Sequence, residues 1–190
     1  MTDIKSEVRR AVETLRQGGI ILYPTDTVWG IGCDATNSDA VAKIYALKKS
    51  TAKKSMLVIV DSIDRAAVYT DNVPHVAWDL MEVTDKPLTL ILPGAHGISH
   101  ELIPDEGTIG IRVPDHEFCH QMCRMLGRPV VSTSANISGM TTPARFDEID
   151  PAVKDGVDMV VDASFEADAT GKASSIIAID RSGAFKIIRP

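Results

Sequence analysis

The chain has 190 residues, 44% of them hydrophobic, with a net charge of −6 and three cysteines. That length suits one hydrophobic core, and the acidic balance argues against non-specific nucleic-acid binding over the whole surface, although a local basic patch is compatible with it. No apolar run approaches the ~20 residues of a membrane span, residues 1–7 lack the apolar core of a signal peptide, and the cysteines are too few and too odd in number for a disulfide framework, so a reducing cytoplasm is expected.

Taken in order, Ile4, Val8, Ala11, Val12 and Leu15 recur at helical spacing until Gly18-Gly19 stops them. Residues 19–23 form a buried strand. They lead into a polar loop, Pro24-Thr25-Asp26-Thr27-Val28-Trp29-Gly30-Ile31-Gly32, at the strand's carboxyl end. Ser38 or Asn37 caps a helix through Val41, Ile44, Tyr45 and Leu47 that finishes in Lys48-Lys49. Between it and an apolar strand at residues 56–60 lies the densest positive segment of the chain, with four lysines in the seven residues 48–54. A solvated loop accounts for such a cluster by itself.

Residues 64–69 and 76–81 read as short helices, and residues 88–92 and 108–113 as strands, the first closed by Pro93-Gly94. Arg112 stands inside an otherwise apolar run, where an unpaired charge is costly. It reaches either an anionic partner or a buried ion pair. Asp115 is expected to cap a helix carrying Phe118, Met122, Met125 and Leu126 on one side. The remainder reads as strands at residues 159–162, 175–179 and 184–188, the last two joined in a hairpin over Asp180-Arg181-Ser182-Gly183.

The densest polar stretch follows the apolar Pro129-Val130-Val131. In Ser132-Thr133-Ser134-Ala135-Asn136-Ile137-Ser138-Gly139, hydroxyls and an amide crowd what reads as a loop at the carboxyl end of a buried strand. In open α/β sheets that edge gathers ligands, and hydroxyls with free N–H groups suit phosphate oxygens. An ordinary turn whose Ser and Thr residues cap their own backbone is the alternative. His116, Cys119, His120 and Cys123 also fall on one helical face, but Cys119, Met122, Cys123 and Leu126 make a plain core stripe, and no metal site is assigned. No Gly-x-x-x-x-Gly-Lys-Ser/Thr or Gly-x-Gly-x-x-Gly motif occurs.

Five segments in register resemble one family: Pro24 to Gly32, Ile44 to Lys48, Pro87 to Leu92, Gly107 to Pro114 and Ser132 to Gly139. They occur in the order found in the YrdC-like threonylcarbamoyl-AMP synthases, and the resemblance covers nearly the whole chain. It implies a single α/β domain over residues 1–190, a twisted open mixed sheet with flanking helices and a concave ligand face. It also implies a reaction in which L-threonine, bicarbonate and ATP, the last with Mg²⁺, give threonylcarbamoyl-adenylate and pyrophosphate. A downstream threonylcarbamoyl transferase would receive the product for tRNA modification, and a weak contact with tRNA itself is a further expectation.

The resemblance also assigns residues. It makes Lys48, Ser134 and Asn136 catalytic. It places Lys48, Ser50, Lys54, Thr108, Ser134, Asn136, Thr142 and Arg189 on ATP, and Thr27, Arg112, Ser132, Ser174 and Ser175 on threonine, with Arg112 on its carboxylate. Ser50 stands where the family has arginine, so the missing charge is expected from a nearby lysine, Lys54 being best placed. Such a lysine would serve as a point charge rather than a fork. Trp29 replaces the family's usual tyrosine. An RNA-binding module on the same concave face, or a diverged enzyme acting on another nucleotide adduct, are the alternative functions.

Overall fold

A computed structural model describes residues 3–50, 56–166 and 169–190. The first helix, α1 (Ile4–Arg16), begins where the Asp3 carboxylate accepts from Ser6 N–H at 3.1 Å, and it buries Val8, Ala11, Val12 and Leu15. It is followed by β1 (Ile21–Tyr23), β2 (Gly30–Gly32) and α2 (Ser38–Leu47), whose N-cap is Asn37 rather than Ser38. Then come β3 (Leu57–Ile59), α3 (Ile63–Ala67), α4 (His75–Val83), β4 (Leu88–Pro93) and β5 (Thr108–Arg112). The last part holds α5 (Glu117–Leu126), β6 (Val130–Ser134), α6 (Pro151–Asp155), β7 (Met159–Val160), β8 (Ser175–Ile179) and β9 (Phe185–Arg189). Short 3₁₀ turns at His100–Leu102, Phe146–Glu148 and Ala163–Glu166, like α6, lie in segments where the sequence shows no periodic pattern.

The nine strands of the described residues form one sheet in the order β7-β1-β2-β6-β3-β5-β4-β8-β9. Pairing is parallel at β1/β7, β3/β5 and β4/β8 and antiparallel at the other five junctions, so the expected mixed α/β sheet is present. Successive residues alternate between its faces. Ile21, Tyr23 and Val130 join Val8, Leu15, Phe118 and Met122 under α1 and α5, whereas Leu22, Ile31 and Val131 pack with Val41 and Ile44 of α2 on the other side. A smaller cluster seats α4 on β4 through Ala77, Leu90 and Leu92.

Four local expectations are corrected. Gly30–Gly32, read as loop, is a strand, paired on one side with β1 and on the other with β6. Glycine carries no alternating side chains to announce it, and the space is needed. A Cβ on Gly32 would lie 2.7 Å from Cε1 of the buried Tyr23 ring and 2.5 Å from Val131 O. Ser132, Thr133 and Ser134, also read as loop, remain in β6 because strands flank them on both sides. The residue before α5 is His116, and it makes no side-chain cap. Asp115 instead donates its N–H to Asp26 Oδ2 at 3.3 Å. Met125 is 41% exposed, and the buried stripe runs through Phe118, Cys119, Met122, Cys123 and Leu126. That helix stops at Gly127, where φ is 73° and the N–H bonds Cys123 O, a left-handed cap that aims the chain into β6.

The three cysteines are free and buried. Burial pushes the Cys119 and Cys123 thiols up, and they donate to Pro24 O and Ile59 O at 3.4 and 3.7 Å. His116 Nε2 lies 3.0 Å from Phe165 O. None of the described helices is long and apolar enough to cross a membrane.

Candidate active site

Tyr23, Ile59 and Val130 face α1 and α5, so counting by two along their strands puts Leu57, Ser132 and Ser134 on that same face. Register sets Leu57 opposite both Ser132 and Gly110, and Gly30 opposite Ser134. There the face opens into a cavity of about 440 Å³. On that same face, beside the cavity, the fully buried Tyr23 donates its hydroxyl to Val131 O at 3.3 Å through the space the two glycines of β2 leave.

Lys48 enters from the end of α2. Lys49 adopts a positive φ of 51°, and Ser50 N–H reaches back to Tyr45 O at 3.0 Å, closing the helix. Lys48 Nζ then donates to Ser134 O at 2.5 Å and Asn136 O at 2.6 Å, while Ser138 N–H donates to Lys48 O at 2.9 Å. Two of the three ammonium donors are thus spent on holding the loop after β6, which leaves a third for a ligand. Asn136 is fixed in turn by Nδ2 bonds to Ile137 O at 3.0 Å and Met140 O at 2.9 Å, with its Oδ1 buried and without a partner among the described residues.

Burial lowers Lys48 to about 8 from an ordinary 10.5. Below pH 8 folded and unfolded chains both carry the proton. Between about 8 and 10.5 only the unfolded chain does, so this group's contribution to stability rises with pH across that window. Affinity for a phosphate-bearing ligand runs the other way, and is expected to fall as pH rises through about 8, where the ammonium loses its charge. Calorimetric ATP titrations on both sides of that pH check it. The Lys48→Arg protein, charged throughout, should show a flat profile.

Arg112 rises from β5 and is buried. It donates through one terminal nitrogen to Thr27 Oγ1 at 2.7 Å and through the other to Asp26 Oδ2 at 2.5 Å, so its charge is met by a buried ion pair. Thr27 and Thr25 share a hydroxyl contact of 2.9 Å, and Thr25 anchors the loop through a bond to Val28 O at 2.8 Å. Across the cavity Ser174 Oγ lies 2.8 Å from Thr89 Oγ1, and its carbonyl accepts from Arg189 Nε at 2.8 Å. Burial, and then the nearby Arg112, hold Arg189 below the ordinary arginine range. Trp29 supplies a wall, its ring 4.8 Å from Phe146.

The cavity gathers Lys48, Ser134, Asn136, Thr142, Arg189, Thr27, Arg112, Ser132 and Ser174. Thr108 lies instead in an adjoining recess of about 360 Å³ that shares Leu57 and Ile176 with it. Ser175 does not line the cavity, because it follows Ser174 at the start of β8, opposite Leu88, and alternation turns it away. Ser50 is not among the lining residues either, and its N–H bonds Tyr45 O at the end of α2. Lys54, with Lys53, falls outside the described residues. Sequence reasoning missed Asp26. The requirement that a buried arginine have a counter-charge, applied to the polar loop that contains Thr27, points to it.

Lysine and arginine charges in a hydroxyl-lined cavity suit a ligand with phosphate and carboxylate groups. A profile of the Sua5/YciO/YrdC family, described as telomere recombination, matches residues 13–190. The threonylcarbamoyl-AMP synthase of Idiomarina loihiensis is 37% identical over 174 residues, covering 86% of this chain and 88% of that protein. Sua5 of P. abyssi superposes with a TM-score of 0.88 at 24% identity, covering 100% of this chain and 57% of the larger protein. A second P. abyssi Sua5 structure, complexed with L-threonine, superposes with a TM-score of 0.85 at 24% identity over 94% of this chain and 52% of that one. The solved structures show the shared fold, and the match over most of the chain settles its kinship: this protein belongs to the Sua5/YciO/YrdC family.

Proposed function

We propose that the chain is a threonylcarbamoyl-AMP synthase, forming threonylcarbamoyl-adenylate and pyrophosphate from L-threonine, bicarbonate and ATP. The observation that carries this reading is the meeting of Lys48, Arg112 and Arg189 in one cavity with the hydroxyls of Thr27, Ser132, Ser134 and Ser174, in a chain 37% identical to a protein of that name. The L-threonine complex of P. abyssi Sua5 agrees with it. The threonine amine attacks bicarbonate, and loss of water gives the carbamate. A carbamate oxygen then forms a bond to the α-phosphorus of ATP as the bond to pyrophosphate breaks. Such a reaction gains most from positioning and from neutralised phosphate charge.

In this reading Arg112 takes the threonine carboxylate while Asp26 keeps the guanidinium in place, Thr27 and Ser174 read the hydroxyl, and Lys48 meets the phosphates. No carboxylate lines the cavity among the described residues, so Mg²⁺ would arrive on the phosphates of ATP and neutralise their charge there. The adenylate would pass to a threonylcarbamoyl transferase acting on tRNA. Pyrophosphate release that requires ATP, bicarbonate and threonine together tests the proposal, and a protein that hydrolyses ATP equally well without threonine would refute it.

Specificity gives a second check. A site that hydrogen-bonds a substrate hydroxyl rejects an analogue lacking it by roughly 10⁴-fold when the pairing is complete, but one lacking a methyl by only about 10–200-fold. In kcat/KM, 2-aminobutyrate should therefore fall well below serine, and serine below threonine. Equal turnover of 2-aminobutyrate and threonine would remove Thr27 and Ser174 from hydroxyl recognition.

A further inference from the structure

Tyr23 stands on β1, one strand removed from β6, because β2 runs between them. Neighbouring strands lie about 4.8 Å apart, so a side chain on β1 reaches β6 only by crossing the whole width of β2. A tyrosine is long enough, provided that β2 carries no side chains on that face. Gly30, directly opposite Tyr23, and Gly32 meet this condition. A Cβ on Gly30 would lie 3.3 Å from Tyr23 Cζ and 3.2 Å from Ser132 Oγ, so the tip of the ring and the serine hydroxyl are neighbours across the gap that glycine leaves.

A buried hydroxyl is costly unless it is paired, and phenylalanine would fill the same space without that need. Tyr23 is fully buried and has a single proton, which goes to Val131 O at 3.3 Å. Its phenolic oxygen can then only accept, and Ser132 is the hydroxyl beside it. Burial raises the Tyr23 hydroxyl well above its ordinary range, and a hydrogen bond with Ser132 works against that rise, as a donor to the phenolic oxygen does. With its own proton turned to Tyr23, Ser132 offers only lone pairs to the cavity it lines. A hydroxyl held in this way suits an N–H donor on the ligand and not a carboxylate or phosphate oxygen.

We infer that Tyr23 is a positioning residue, whose hydroxyl reaches across the glycines of β2 and fixes Ser132 as an acceptor for the amino group of the bound amino acid. This rests on the synthase reading for its choice of threonine. Calorimetry compares threonine with 3-hydroxybutyrate, which keeps the carboxylate and the hydroxyl but lacks the amine. The proteins are the parent, Tyr23→Phe, Ser132→Ala and the double variant, with thermal melts as a folding control. Threonine should bind roughly tenfold more weakly to each single variant, the scale of one lost hydrogen bond. The double variant should bind it no more weakly than Ser132→Ala, because both changes remove the same contact. 3-Hydroxybutyrate should bind equally to all four. Gly30→Ala keeps both hydroxyls but wedges a methyl against them, so it should reproduce the loss and serves in place of Tyr23→Phe if that variant does not fold. Unchanged threonine affinity in the variant used, additive losses in the double variant, or an equal loss for 3-hydroxybutyrate overturns the assignment. A parent protein that binds no threonine overturns it together with the synthase reading. Tyr23-dependent threonine binding without pyrophosphate release upholds the assignment and sinks the synthase reading alone.

Discussion

Lys48→Ala is expected to lower pyrophosphate release by about 10²–10³-fold, the loss typical of removing one preorganised donor from a site of developing charge. The substitution also strips the ammonium from Asn136 O and Ser134 O, 2.6 and 2.5 Å away, although Ser134 O keeps the Asn136 N–H at 2.9 Å. Asn136 O loses its donor, which costs about 1–3 kcal/mol if the carbonyl remains buried. A lower melting temperature should therefore accompany the lost activity, and the two must be separated. Lys48→Arg keeps the charge but cannot place three donors around one nitrogen. It should recover ATP binding more fully than it recovers kcat. A well-folded Lys48→Ala protein with parental turnover would take Lys48 out of the chemistry and leave it as a tie between α2 and the loop after β6.

The second large effect is on the fold as much as on the site. Arg112→Met leaves the largely buried Asp26 carboxylate, at 12% exposure, without its guanidinium partner. Breaking one side of a buried pair costs about 3–5 kcal/mol, which for a chain of this size lowers the melting temperature by roughly 10 °C. Threonine-dependent turnover should disappear with it. Adding Asp26→Asn removes the stranded charge, so the double variant should melt several degrees above Arg112→Met while remaining unable to use threonine. Thermal melts and threonine calorimetry on the two proteins check this. If the double variant melted no higher, the ion pair would not be what stabilises that corner. If it bound threonine normally, Arg112 would have no part in recognition.

Elements built on a strong period were legible from sequence. The stripe Val8, Ala11, Val12, Leu15 fixes α1, and the final hairpin over Asp180 to Gly183 appears as read. Period reading failed where strands carry the wrong residues for their place. Gly30 and Gly32 have no side chains to alternate, and Ser132 and Ser134 are polar because they face a cavity instead of a core. Both exceptions lie in the floor of the site. Many of the residues assigned by resemblance come together in one cavity, since the loops that carry them leave adjoining parts of one sheet. Ser175 fell away for a reason a one-residue shift explains, because only every second residue of a strand can face the same ligand. The bulge in β9, which pairs Ile187 with Ile177 and Arg189 with Ile176 around an extra Ile188, could not have been seen in the letters, because Ile187 and Ile188 look alike and only pairing with β8 tells them apart.

The place of the site within the strand order bears on timescale. Its floor strands β2, β6 and β3 lie inside the sheet, each bonded on both sides, whereas β9, which carries Ile188 and Arg189, is one of the sheet's two edge strands among the described residues. Opening the floor would break pairing across most of the sheet at once, an event close in cost to global unfolding, while an edge strand frays locally at little cost. Arg189 would therefore loosen with β9 in the nanosecond-to-millisecond range of local motions, while Ser132 and Ser134 of β6 and Arg112 of β5 keep their places on strands bonded on both sides.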